Sequence, residues 1–286
     1  YADMTLRQDF SSILKGLGGS ATIAYDNLAA YYEDRSKGYR YGSYTVTGWN
    51  NGEPVTSYFE DGKDEEMGTS NQVKTYRRNF YFDALLNYTR TFGKHSVYGQ
   101  LKWDYEYNNK MDIGNTYYRQ NASLYAHYAY NNKYIADVTL VASAANRLSP
   151  DDRWAFSPTV SAGWVISNEA FMKNISWIDF LKLRASWGII NSDRIPSDGY
   201  WEQTYGKNQY YAFGSDYSLL DDQGWRKGTL AVGNSTHEKS TKYNVGLDMS
   251  LFKGLNITAD AYYERYSDIW VDASSKYSSV LGQTVP

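Results

Sequence analysis

Strict alternation of apolar and polar positions recurs along this chain. From Ser96 to Asn108 one set is Val97, Gly99, Leu101, Trp103, Tyr105 and Tyr107; the interleaved set is Ser96, Tyr98, Gln100, Lys102, Asp104 and Glu106. A repeat of two puts the sets on opposite faces of a β-strand. The preceding run sets Phe80, Phe82, Ala84, Leu86, Tyr88 and Phe92 against Asp83, Asn87, Thr89 and Thr91, and Gly93 with Lys94 joins the two runs as a tight hairpin. The same pattern predicts strands over Ala21–Tyr31, Ala122–Tyr130, Tyr134–Ala142, Thr159–Ile166, Leu181–Trp187, Tyr243–Leu251 and Leu255–Tyr263, with a weaker one over Ala2–Ser12. That makes about ten strands, several near the roughly 9–11 residues a tilted strand needs to cross a bilayer. Helical periodicity is scarce.

The connections sort by length. Lys15 to Gly19, Gly93 to His95, Asn131 to Lys133 and Lys253 to Gly254 are short, while Glu33 to Lys74, Asn109 to Gln120, Ala144 to Pro158 and Asn191 to Lys239 are long. Asn168 to Asp179 is intermediate and falls where a short turn is due. A meander with short turns at one end and long loops at the other is the pattern of a transmembrane antiparallel up-and-down β-barrel. Lys102, Asp104, Lys182, Arg184 and Asp248 then face a wet lumen, because a Lys or Arg on the lipid side at midplane costs roughly 2–4 kcal/mol. The competing arrangement packs the apolar face on a second sheet, as in a β-sandwich.

Composition adds weight to the membrane reading. Among 286 residues there are 30 Tyr, 9 Trp and 10 Phe against 23 Gly. Rings with one polar edge suit strands and gather where a protein passes from lipid to water. No run approaches the roughly 18 apolar residues of a spanning helix. The net charge of -3 leaves no basic footprint for nucleic acid. The absence of cysteine excludes disulfides and thiolate chemistry in this chain. It begins at Tyr1 and reads as a fragment of something longer.

Nothing here reads as an enzyme or a cofactor site. His95, His127 and His237 lack the His-Glu-x-x-His spacing of a zinc site, and no Gly-x-Ser-x-Gly elbow occurs. Gly16-Leu-Gly-Gly-Ser-Ala21 fits a dinucleotide fingerprint in form, but an alternating strand follows it rather than a helix, so it reads as a glycine turn. The carboxylates of Glu60-Asp-Gly-Lys-Asp-Glu-Glu66 lack EF-hand spacing and read as a solvated acidic loop, with calcium the alternative. The long loops carry Trp49, Tyr58, Trp201, Tyr205, Tyr210, Tyr211 and Trp225, flat rings suited to lining a substrate cavity or to packing loops on each other.

The stretch Tyr130-Asn-Asn-Lys-Tyr-Ile-Ala-Asp137 runs into Arg153-Trp-Ala-Phe-Ser-Pro-Thr-Val-Ser-Ala-Gly-Trp164, then Ile166-Ser-Asn-Glu-Ala-Phe171 and Leu181-Lys-Leu-Arg-Ala-Ser-Trp-Gly188. With Glu238-Lys-Ser240, Tyr243-Asn-Val-Gly-Leu-Asp248 and Ala261-Tyr-Tyr-Glu264, this resembles the SusC/RagA family of TonB-dependent outer-membrane transporters over about half the chain. Ala142-Ser-Ala-Ala-Asn-Arg147 departs from the family's Arg-x-Asp-Gly-Ser-like turn, and nothing matches its plug domain, TonB box or final strand. The resemblance implies that residues 1–286 are part of a plugged barrel of about 22 strands in a Gram-negative outer membrane. It further implies uptake of an oligosaccharide or peptide, a SusD-like surface lipoprotein as lid, and TonB engaged through regions outside this chain. A channel or adhesin barrel without TonB coupling, and a secreted carbohydrate-binding β-sandwich, are the alternatives.

Overall fold

The computed structural model describes residues 1–110, 116–193, 201–212, 219–233, 235–272 and 276, with backbone alone at 110, 208–212 and 219–224. The strands are β1 (Ala2–Asp9), β2 (Leu17–Ser36), β3 (Tyr41–Asn50), β4 (Glu53–Asp61), β5 (Gly68–Phe92), β6 (His95–Lys110) and β7 (Tyr117–Tyr130). They continue as β8 (Tyr134–Ala145), β9 (Trp154–Val165), β10 (Ile178–Ser192), β11 (Tyr205–Ala212), β12 (Leu219–Lys227), β13 (Glu238–Leu251) and β14 (Leu255–Ser267). Ten of them form one sheet in the order β1-β2-β5-β6-β7-β8-β9-β10-β13-β14, and the pairs β3-β4 and β11-β12 are separate hairpins. Every pairing in the large sheet is antiparallel, so it is a meander with two hairpins inserted in its connections.

Register fixes what each face presents. One line across the sheet reads Leu86, Leu101, Leu124, Leu140, Pro158. Another reads Val138, Val160, Trp187, Tyr243, Tyr263. On the other face the lines read Asp83, Asp104, Asn121, Ser143 and Asp137, Ser161, Ser186, Asn244, Tyr262. Because the side-chain period is two, a slip of one residue would exchange the faces throughout. Lys102, Asp104, Lys182, Arg184 and Asp248 share the polar face, as the alternation predicts.

The apolar face is bare. Leu101 is 53% exposed and Val245 59% exposed, and among the described residues no second sheet covers either. An open apolar face spanning ten strands is not one a protein leaves to water, and it suits the lipid-facing side of a membrane barrel. The sandwich alternative lacks its second sheet among the described residues. Aromatic rings bound the band: Phe92, His95, Tyr128, Tyr130 and Tyr134 at the short-turn end, and Phe80, Phe82, Trp103 and Tyr105 toward the other. From His95 to Tyr105 within β6 the chain rises roughly 33 Å, or about 25 Å along the membrane normal at a tilt near 40°, the height of an outer-membrane apolar band.

The short connections adopt the backbone their residues require. Gly93 takes φ +59° in the two-residue turn between β5 and β6. Gly16 takes φ +91°, where a Cβ would sit 1.9 Å from the Thr89 carbonyl oxygen, so the glycines before β2 serve a turn, not a nucleotide. The long connections differ from expectation. β2 runs on to Ser36 and β5 begins at Gly68, so strand structure continues well past Tyr31 and Lys74, and the segments beyond hold the β3-β4 and β11-β12 hairpins rather than irregular loop. The signal for the first was Asn51-Gly52 between two β-rich runs, a pair suited to positive φ at both central positions of a tight turn; φ is 50° and 87° there.

Candidate substrate-binding surface

All long connections leave the same end of the sheet, so the aromatic candidates gather beyond it. On the β3-β4 hairpin the register shifts between Val46 and Gly48, adding one residue to β3. That bulge, whose extra Thr47 donates its hydroxyl to the Val55 carbonyl at 3.2 Å, puts Trp49, opposite Pro54, on the same face as Tyr44, opposite Tyr58. Without it Trp49 would point the other way. The Tyr44 and Tyr58 rings lie 5.0 Å apart, and Trp49 is 72% exposed near the tip. Of the residues named from sequence, Trp49 and Tyr58 therefore share one platform, and Tyr44 is a third member that composition alone did not single out.

The β11-β12 hairpin brings Tyr205 and Trp225 together. Lys207 lies opposite Trp225 with its ammonium 5.2 Å from the ring centre, and Tyr205 is two positions along the same face. Trp201 sits at the base, half-buried, its indole N–H without a hydrogen-bond partner among the described residues. The side chains of Tyr210 and Tyr211 lie outside the described residues. No ring contact joins the two hairpins among the described residues: Trp49 and Tyr58 lie on one, and Tyr205 and Trp225 on the other.

Both ends of the segment carrying β11-β12 are held by a buried knot that sequence reading missed. Asp193 accepts from the Arg119 guanidinium and from the Tyr117 hydroxyl at 3.4 Å. Ser235, 1% exposed, accepts the Ser149 N–H at 3.2 Å, and Leu148 beside Ser149 is fully buried. Asn146 accepts the Tyr118 N–H at 3.0 Å, and Trp270 donates its indole N–H to the Thr236 carbonyl at 3.0 Å. His237 is buried here; desolvation lowers its pKa, Asp193 and Asp152 oppose that shift, and Arg119 and Lys239 add to it. The departure at Ala142-Arg147 thus has a structural use: Ala144 and Ala145 are buried, and the turn after them supplies the anchor.

The polar face of the sheet is cross-linked. Arg184 on β10 donates to Asp248 at 3.2 Å, to Asn244 at 3.4 Å and to Asp260 at 2.7 Å, tying β10, β13 and β14. Gly246 makes room for it, since a Cβ there would stand 2.4 Å from the guanidinium carbon. Asp137 accepts from Tyr125 at 2.8 Å and Ser161 at 3.1 Å and pairs with the His127 ring at 2.7 Å. A groove of about 210 Å³ between these clusters is lined by Ile135, Asp137, Ser161, Lys182, Arg184 and Asn244. Charges this well paired hold a wall in shape. The acidic stretch ending at Glu66 is likewise used locally: Asp64 accepts the Arg40 N–H at 3.0 Å, Glu60 pairs with Arg40 at 3.2 Å, and Asp61 accepts from Tyr41 at 3.1 Å. No three acidic or histidine side chains converge among the described residues.

No family model matches the chain. It is 29% identical over 263 residues to TonB-dependent receptor P39 of Formosa agariphila, a match covering 81% of this chain and 24% of that protein. It is 32% identical over 148 residues to TonB-dependent receptor SusC of Bacteroides thetaiotaomicron, covering 50% of this chain and 14% of that one. Among solved structures, that of the RagAB peptide transporter superposes with a TM-score of 0.67 at 15% identity, covering 95% of this chain and 30% of its counterpart. The chain thus spans about a quarter or less of the length of these curated relatives. The superposition gives the ten-stranded sheet the fold of a section of β-barrel wall, and the SusC/RagA resemblance read from its strand motifs, with the outer-membrane location it implies, is borne out by the similarity to TonB-dependent receptors.

Proposed function

With the chain matching the barrel wall of SusC/RagA-type TonB-dependent receptors, we propose that the whole protein imports an oligosaccharide across the outer membrane. The plug and the TonB box belong to regions outside this chain. The observation that carries this reading is the two-faced sheet with all short turns at one end and all long connections at the other. The apolar face meets lipid and the cross-linked polar face lines the lumen. Tyr44, Trp49 and Tyr58, and Tyr205 with Trp225, offer flat polar-edged rings at the extracellular mouth, where sugar faces stack. A SusD-like surface lipoprotein closes over that mouth. Among the seven candidates, Trp49, Tyr58, Tyr205 and Trp225 carry the strongest support, because each stands exposed.

A peptide cargo is the second reading. It is favoured by the fold match to a structure described as a peptide transporter. Purifying the tagged full-length protein from outer membranes in mild detergent and identifying what accompanies it tests both. The proposal expects a surface lipoprotein and a bound glycan; a bound peptide mixture selects the second reading, and recovery without detergent would overturn the import proposal altogether.

A further inference from the structure

The short-turn end carries a pattern that transport does not require. Each of the five short turns holds one lysine: Lys15, Lys94, Lys133, Lys173 and Lys253. These turns form one hydrogen-bonded rim. The Thr89 N–H donates to Gly16 at 2.8 Å, Asn131 to Lys94 at 2.6 Å, Val165 to Lys133 at 2.7 Å and Phe252 to Trp177 at 3.0 Å. Only Lys133 is spent within the rim, on Glu169 at 2.7 Å. Lys15, Lys94, Lys173 and Lys253 are exposed.

The rim's acids turn the other way. Glu169 also accepts from Tyr134 at 2.8 Å and Trp164 at 3.2 Å; Asp9 accepts the Ser11 N–H at 2.8 Å; Asp179 accepts the Lys253 N–H at 2.6 Å. The acids are bound to the protein while four cations reach outward. Beside those cations lies an aromatic ledge: Trp177 stacks on Phe252 with centroids 6.0 Å apart, and Phe171 is 63% exposed. An ammonium on a flexible stem, next to rings that sit at the lipid–water boundary, meets phosphate at headgroup depth.

We infer that this lysine rim, resting on the barrel reading above, is a docking surface for the anionic phosphate headgroups of the phospholipid leaflet on the short-turn side. Each free lysine prefers an anionic over a zwitterionic headgroup by about fivefold. The rim fixes the depth of the barrel from the end that lacks large loops.

The test reconstitutes full-length protein into phosphatidylcholine vesicles doped with phosphatidylglycerol, extracts it gently, and measures retained lipid by native mass spectrometry. It compares the unaltered protein with the combined variant K15Q, K94Q, K173Q and K253Q. Lys133 is kept because it holds Glu169. The expected result is selective retention of phosphatidylglycerol by the unaltered protein and near-parity in the variant, both fully inserted. Equal selectivity in the two proteins overturns the inference, as does loss of selectivity when inorganic phosphate is added. Failure of both proteins to insert strikes the barrel reading instead.

Discussion

At the short-turn end, neighbouring turns exchange backbone hydrogen bonds, and Glu169 gathers Lys133, Tyr134 and Trp164 into one cluster. At the long-loop end, β2 and β5 run past their neighbours and, among the described residues, the strands of each inserted hairpin pair only with each other. The first end gains rigidity from contacts between adjacent connections. The second exchanges it for reach, leaving Trp49 and Trp225 exposed on two-stranded ribbons of the kind that are marginal on their own. The buried knot around Asp193 and Ser235 links the two regimes by fixing both ends of the segment that carries the second hairpin. A membrane wall needs its closed end to hold shape and its open end to meet cargo, and local connection length decides which each can do.

The largest effect should fall on the wall that joins the ends. Leu101→Arg puts a cation on the lipid face at a cost of about 2–4 kcal/mol and should abolish or delay insertion, whereas Lys102→Ala, one residue away on the lumen face, should insert normally. Outer-membrane fractionation with heat-modifiable mobility checks both.

Next comes the knot. Asp193→Ala leaves Arg119 without its carboxylate in a half-buried place, and local stability should drop by about 1–3 kcal/mol. Limited proteolysis should then cut within residues 194–234 while the turns of the rim stay intact. A rim cut equally fast would erase the distinction between the ends.

A smaller change should follow at the platform. Trp49→Ala or Tyr58→Ala should weaken cargo binding by roughly 1 kcal/mol, about fivefold, with unchanged thermal stability, since both rings lie outside the packed sheet. Calorimetry against the copurified ligand reads the first quantity and a melt the second.

The least effect is the pH response. Burial lowers the pKa of His237, so the fold favours its neutral form. The unfolded loop binds protons more readily near its ordinary value of 6.5, so this contribution is present above that value and is lost as pH falls through the lowered one. The Glu169 carboxyl is also held below its ordinary 4.5, first by Lys133 and then by Tyr134 and Trp164, so the rim keeps its stabilisation until more acidic conditions. Hydrogen-exchange protection, corrected for the intrinsic pH dependence of amide exchange, should therefore fall between pH 7 and pH 5 around Ser235 and His237 and stay constant around Lys133.

The ten wall strands were legible because one buried rule, alternation, repeats in each, and a one-residue slip would turn Lys102 into lipid. Their ends were not. β2 beyond Tyr31 and β5 before Lys74 have no apolar face to keep, since both leave the membrane, so the signal vanished while backbone pairing went on. The β3-β4 hairpin was marked by Asn51-Gly52, a local cue that reading the chain by alternation alone passed over. Shared position of Trp49 and Tyr58 depended on a bulge at Thr47 that no spacing rule anticipates. The knot was illegible for another reason: Arg119, Ser149, Asp193 and Ser235 come from four separate connections or strand ends and meet only after the sheet has formed.

The facing of the wall is the central claim, and the lack of cysteine in this chain makes it directly measurable. Single cysteines at Leu101, Lys102, Trp103 and Asp104 of the reconstituted full-length protein would be tested with a water-soluble thiol reagent and with a lipid-tethered quencher after labelling. The account predicts alternation, with positions 101 and 103 quenched from lipid and positions 102 and 104 modified from water. Equal access to both probes at all four positions would contradict it.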